Sequence, residues 1–90
     1  MEQRIDFYKA SPDAIKALIA LEIAATKGGL EASLLDLVKL RVSQIYRCAY
    51  CVDVHTSDAR KRGETERRLY AVGVWHETPF LTLRERAALQ

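Results

Sequence analysis

The chain has 90 residues, and 14 lysines and arginines against 12 acidic residues leave a net charge of +2. That length fits one small domain spanning 1–90, and the two signs of charge are mixed along it, which excludes a basic nucleic-acid arm or an acidic tail. A hydrophobic content of 49% belongs to a folding chain, though one so short buries a small share of its surface and gains from a partner subunit.

The opening residues Met1-Glu2-Gln3-Arg4-Ile5-Asp6 carry an early acid and no apolar run, so they do not read as a secretory signal. Ser11-Pro12-Asp13 supplies an N-cap, a first helical proline and an early-turn acid. Ala14, Leu18, Leu21 and Ala25 then recur at helical spacing, which predicts a first helix over about Pro12–Lys27, ended by Gly28-Gly29. The most apolar stretch, Ala17 to Ala25, contains Glu22 and lies between Lys16 and Lys27, well short of the roughly 20 residues a spanning helix needs. A soluble, cytoplasmic protein that engages neither membrane nor nucleic acid is expected.

A second helix is predicted from near Glu31 to about Tyr46, with Leu34, Leu37, Val38, Val42 and Ile45 on one stripe. A third runs from around Cys48 to Gly63, and Arg60, Lys61 and Arg62 in its last turn read as a solvated end that complements the helix dipole. A fourth covers about Thr65–Trp75, facing Leu69, Val72 and Trp75 inward, and Thr78-Pro79 breaks it. Thr82-Leu83-Arg84-Glu85 is a capping box that opens a fifth helix. That helix meets Gln90 without a stop signal, so the expectation is an all-α domain of about five helices, cut short at its C-terminal end.

The dense cluster of reactive side chains is Cys48-Ala49-Tyr50-Cys51-Val52-Asp53-Val54-His55. A turn of about 100° per residue sets Cys51 about 60°, and His55 about 20°, from Cys48, so the three share one face of the third helix. At the start of that helix a thiolate is favoured by free N–H groups and the dipole, and His55 is placed to take a proton from Cys51. The pair can also close a disulfide, which regenerates a thiol when one sulfur becomes a sulfenic acid. Two alternatives stand beside the redox reading: the bland one, a small buried hydrophobic pair, and a sharper rival, a zinc site for which a fourth ligand is missing, since His76 has no second Cys or His beside it. Asp36 fits equally a capping box from Ser33 and a catalytic carboxylate. Asp58 reads as a solvated carboxylate before an orienting group for His55, and Tyr50 as a packed aromatic.

The run from Leu34 to Ile45, then Cys48 to Thr56, then Ala59 and Gly63-Glu64-Thr65, resembles the alkyl hydroperoxidase D (AhpD)-like branch of the carboxymuconolactone decarboxylase family, over most of the chain from about Ile5. The shared pattern is an acid, eleven residues, Cys-x-x-Cys, three residues and His. The resemblance implies an all-helical domain that assembles as a homotrimer or homohexamer and reduces hydroperoxides without a bound cofactor or metal, its disulfide being restored by a dithiol or disulfide-reducing protein. It implies that Cys51 attacks the peroxide, that Cys48 donates a proton and resolves the sulfenic acid, and that His55 and Asp36 relay protons. Asp36 stands where the family has a longer glutamate, and Tyr50 where the better-studied peroxidases have a histidine. A thiol-dependent peroxidase or disulfide oxidoreductase is therefore the leading expectation. A non-redox, decarboxylase-like enzyme on the same fold and a structural or metal-binding oligomerisation module are the alternatives.

Overall fold

The computed structural model describes residues 4–90, and the part of the predicted signal-free N-terminus before Arg4 lies outside the described residues. Its elements are α-helices throughout: α1 (Phe7–Ala10), α2 (Pro12–Thr26), α3 (Ala32–Ile45), α4 (Ala49–Lys61), α5 (Glu66–Ala71) and α6 (Leu83–Leu89), with a single 3₁₀ turn at Val72–Val74 after α5. No strand occurs among the described residues. The backbone separates into two compact units, one ending at Leu30 and one covering Glu31–Gln90.

In the first unit the short α1 packs on α2. Asp6 starts α1 by accepting hydrogen bonds from the backbone N–H groups of Tyr8 and Lys9 (3.1 and 3.4 Å), a local signal that four residues of helix were too few to reveal as periodicity. Ser11 is the N-cap of α2 with Pro12 following, as expected, but its hydroxyl makes no capping bond. Neither helix buries a residue, and the expected apolar stripe through Leu18 and Leu21 is exposed.

The second unit is built on α3 and α4, an antiparallel helical hairpin. Leu37 and Leu40 of α3, Ala59 of α4, Leu69 of α5, Val72, Leu81 and Leu89 of α6 form one core, and Val38, Val52 and Trp75 pack on its edge. Leu37, Leu40, Val72 and Leu89 are almost wholly withdrawn from water, each worth about 1.5–3 kcal/mol of transfer free energy. Gly63 ends α4 in the left-handed region (φ 93°), where the backbone N–H groups of Gly63 and Glu64 reach back to Arg60 and Ala59. The fourth predicted helix holds its α form only to Ala71. Beyond it the chain tightens through Val72-Gly73-Val74, because a glycine weakens a helix interior and a 3₁₀ turn suffices to bring Val72 into the core.

The Thr82–Glu85 capping box forms in full: the Glu85 N–H donates to Thr82 Oγ1 (3.1 Å) and the Thr82 N–H donates to Glu85 Oε1 (2.8 Å). The box expected at Ser33–Asp36 does not form. Helix α3 opens two residues earlier than that box requires, at Ala32 after the N-cap Glu31, so Ser33 already lies inside the helix and Asp36 is turned into the protein.

Candidate active site

The turn between α3 and α4 sets the site. Arg47 takes a left-handed backbone (φ 56°), which lets the Cys48 N–H return to the Ser43 carbonyl (3.0 Å) and places Cys48 as the N-cap of α4. Its sulfur accepts a hydrogen bond from the Cys51 N–H (3.2 Å) and is joined to the Cys51 sulfur in a disulfide, with the two Cα atoms 5.3 Å apart. The expected pair is thus assembled in the first turn of a 13-residue helix, where the dipole favours negative charge on sulfur.

Cys48 lines an open cleft of about 600 Å³ together with Gln44, Arg47, Val52, Asp53 and Thr56. Cys51 and His55, one turn apart on α4, occupy the neighbouring stripe and are both half-buried. Among the described residues no hydrogen bond or ion pair restrains the His55 imidazole, which leaves both ring nitrogens open to a water or a substrate. Asp58, one turn further, is half-buried, and its backbone carbonyl serves the Arg62 N–H.

Asp36 is 5% exposed, with one carboxylate oxygen accepting from Arg62 Nη1 at 2.6 Å and the other buried without a partner among the described residues. Arg62 is the C-cap of α4, and eleven residues of helix, about 16 Å at 1.5 Å per residue, separate it from Cys51. The carboxylate is therefore anchored at the end of α4 opposite the cysteines. Arg62, expected at a solvated helix end, is half exposed and also pairs with this buried acid. The signal that identifies it as a partner is the acid inside the apolar run Leu34-Leu35-Asp36-Leu37-Val38, since a carboxylate in that stripe requires a cation or donors. Tyr50 is exposed rather than packed, at 65%. His76 is exposed with its ring edge-on to Trp75, centroids 5.4 Å apart. Among the described residues no three His, Cys, Asp or Glu side chains converge to hold a metal ion, and no described helix is long and apolar enough to cross a membrane.

Gln44, Val52, Thr56 and Arg47 were not singled out from the sequence. Only the packing of α3 on α4 aligns Gln44 and Val52 beside Cys48.

Known proteins are similar to this chain. The chain is 41% identical over 90 residues to the uncharacterized protein YdfG of Bacillus subtilis (strain 168), spanning 61% of its length. It is 33% identical over 55 residues to the uncharacterized protein YnjA of Escherichia coli (strain K12), covering 61% of this chain and 30% of that protein. Among solved structures it superposes with a TM-score of 0.93, at 44% identity, on ATU0492 from Agrobacterium tumefaciens, a protein of unknown function for which a role as an antioxidant defence protein, AhpD, has been proposed. That match covers 98% of this chain and 60% of the other, so the chain spans about three fifths of the length of these two full-coverage relatives. With residues 9–90 matched by the family's own sequence model and the cysteine pair seated at the start of α4, the chain belongs to the carboxymuconolactone decarboxylase family, within which its fold is AhpD-like.

Proposed function

We propose that the protein is a thiol-dependent peroxidase that reduces hydroperoxides with its cysteine pair. The observation that carries this reading is the Cys48–Cys51 disulfide at the α4 N-terminus, with Cys48 lining an open cleft. In the reduced protein the Cys51 thiolate attacks the terminal oxygen of ROOH. The O–O bond breaks, the alkoxide takes a proton through His55 and leaves as ROH, and Cys51 becomes a sulfenic acid. The Cys48 thiolate then displaces hydroxide, which leaves as water, and the disulfide closes. The two electrons spent on the peroxide are returned by a dithiol or disulfide-reducing protein, in a reducing compartment such as the cytoplasm.

Asp36, which the family resemblance gives as a relay acid, is held by Arg62 toward the far end of α4, so its part in this scheme requires water between it and His55. The uncovered apolar side chains of α2 and the small size of the chain support assembly as a homotrimer or a multiple of it.

The test is peroxide consumption by the reduced protein, followed by thiol counting and intact mass. Cys51→Ser abolishes consumption. Cys48→Ser leaves a sulfenic acid on Cys51 that a sulfenate-specific reagent traps, because no resolving thiol remains. Parental rates in both variants overturn the thiol mechanism. Asp36→Asn at equal folded concentration slows peroxide attack by a factor on the order of 10²–10⁴ for a general base, and an unchanged pH–rate profile removes Asp36 from the relay.

A further inference from the structure

The cleft beside Cys48 does not stop at the cysteine. A second cleft, of about 390 Å³, is lined by Leu40, Gln44, Val52, Thr56, Arg60 and Leu69, with Tyr70 at its rim, and it shares Gln44, Val52 and Thr56 with the first. Cys48, Val52, Thr56 and Arg60 follow one another at four-residue intervals, so the two clefts are halves of one groove that follows a single stripe of α4. Twelve residues of helix make it about 18 Å long from the Cys48 cap to Arg60. Its middle is apolar: Leu40 and Leu69 are core residues, Val52 packs on that core, and the Thr56 hydroxyl is turned back onto the Val52 and Asp53 carbonyls (2.7 and 3.1 Å).

Arg60 closes the far end with donors to spare. Among the described residues its one ion pair, to Glu66, is long (3.5 Å) and exposed, and Glu66 makes its shorter bond with the Tyr70 hydroxyl (2.7 Å). A guanidinium with five N–H donors and one weak partner can take a second carboxylate.

From this two-ended groove, sulfur at one end, cation at the other and hydrocarbon between, we infer that the protein takes long-chain carboxylic acids, and that its preferred hydroperoxides are those of fatty acids, with the carboxylate on Arg60 and the chain over Val52 and Leu69. The inference rests on the proposed peroxidase activity for its chemistry, ROOH going to ROH and water as the dithiol becomes the disulfide, but the carboxylate subsite is a separate claim about binding.

Two measurements keep them apart. Calorimetric titration of the oxidised protein with linoleic acid and with methyl linoleate reads the subsite without turnover. The acid binds more tightly than the ester by about fivefold, the upper range for a partly exposed ion pair. Arg60→Gln brings the ratio to about one, and Arg60→Lys restores part of it. The kcat/KM ratio for linoleic acid hydroperoxide over its methyl ester follows the same pattern in the reduced protein. Equal binding of acid and ester, or a preference that survives Arg60→Gln, overturns the subsite. A preference lost in Arg47→Gln instead also overturns it, because the carboxylate then sits at the sulfur end. Arg60-dependent binding of linoleic acid with no consumption of any hydroperoxide, cumene hydroperoxide included, overturns the peroxidase reading and leaves the subsite standing.

Discussion

At Asp36 and Arg62 the cost of removing a charge depends on which partner is left behind. Asp36 is withdrawn from water, whereas the Arg62 side chain is 52% exposed. Arg62→Met strands a buried carboxylate with neither oxygen bonded, and a loss of about 2–4 kcal/mol is expected, below the full range for a pair buried on both sides. Asp36→Leu releases a guanidinium that water can solvate and fills the stripe with hydrocarbon, so its loss stays under about 1 kcal/mol. Urea denaturation of the two variants checks the order, and an equal loss in both removes the asymmetry. Arg47 gives a second residue-level expectation. A side chain other than glycine costs about 1–2 kcal/mol in the left-handed region, and glycine returns part of that by loosening the unfolded chain. Arg47→Gly is therefore expected to stabilise by about 0.5–1 kcal/mol, and Arg47→Val to destabilise by at least as much, read from thermal midpoints.

Among the elements, the junction of α5 with α6 depends on one arginine. Arg68 donates to Glu64 through Nε (2.8 Å), to the Phe80 carbonyl through Nη1 (2.7 Å), and to both carboxylate oxygens of Glu85. Glu85 also closes the Thr82 capping box. Burial pushes the Glu85 carboxyl upward, but its bonds to Arg68 and to the Thr82 N–H outweigh that and hold it below its ordinary value of 4.5. A carboxyl lowered in the folded state stabilises above its unfolded value, and the contribution is lost as pH falls through the folded one. The parent is then more stable than Glu85→Gln at neutral pH, and the gap narrows as pH drops below about 4.5. Denaturation midpoints of the two proteins across that window check the sign.

The same elements show what a sequence exposes and what it conceals. The Thr82 box, the Gly63 stop and the CxxC-His stripe are each written within a few neighbouring residues, and each appears where its local chemistry places it. The Arg62 partner of Asp36, 26 positions away, and the alignment of Gln44 with Val52 depend on how α3 lies against α4. Periodicity identifies that α3 has an apolar face, but it carries no information on which α4 side chain meets a polar residue in it. Ser33 forms no cap because a helix start two residues earlier turns a cap position into a helical one, and boundaries of that order are settled by tertiary packing.

At the scale of the molecule, the two units contrast in how they use their apolar residues. The unit from Glu31 onward closes a core from six segments, whereas α2, fifteen residues of largely apolar sequence, leaves Leu18, Ile19, Leu21 and Ile23 uncovered. Exposed apolar area of that kind on a small chain marks an interaction surface. Light scattering is expected to give a trimer or a multiple of it at micromolar concentration. Leu18→Glu combined with Leu21→Glu lowers the mass toward that of the 10.2 kDa chain, and a monomeric parent removes the assembly.

The hydrogen bond from the Cys51 N–H to the Cys48 sulfur makes one atom serve both as helix cap and as electron reservoir. A disulfide or thiol sulfur accepts weakly and a thiolate strongly, so the charge on Cys48 is communicated to a single amide proton. The Cys51 amide resonance is accordingly a built-in spectroscopic indicator: its chemical shift moves downfield as Cys48 ionises and returns when the pair is oxidised, allowing both the titration and the turnover of the site to be followed by NMR without an added dye.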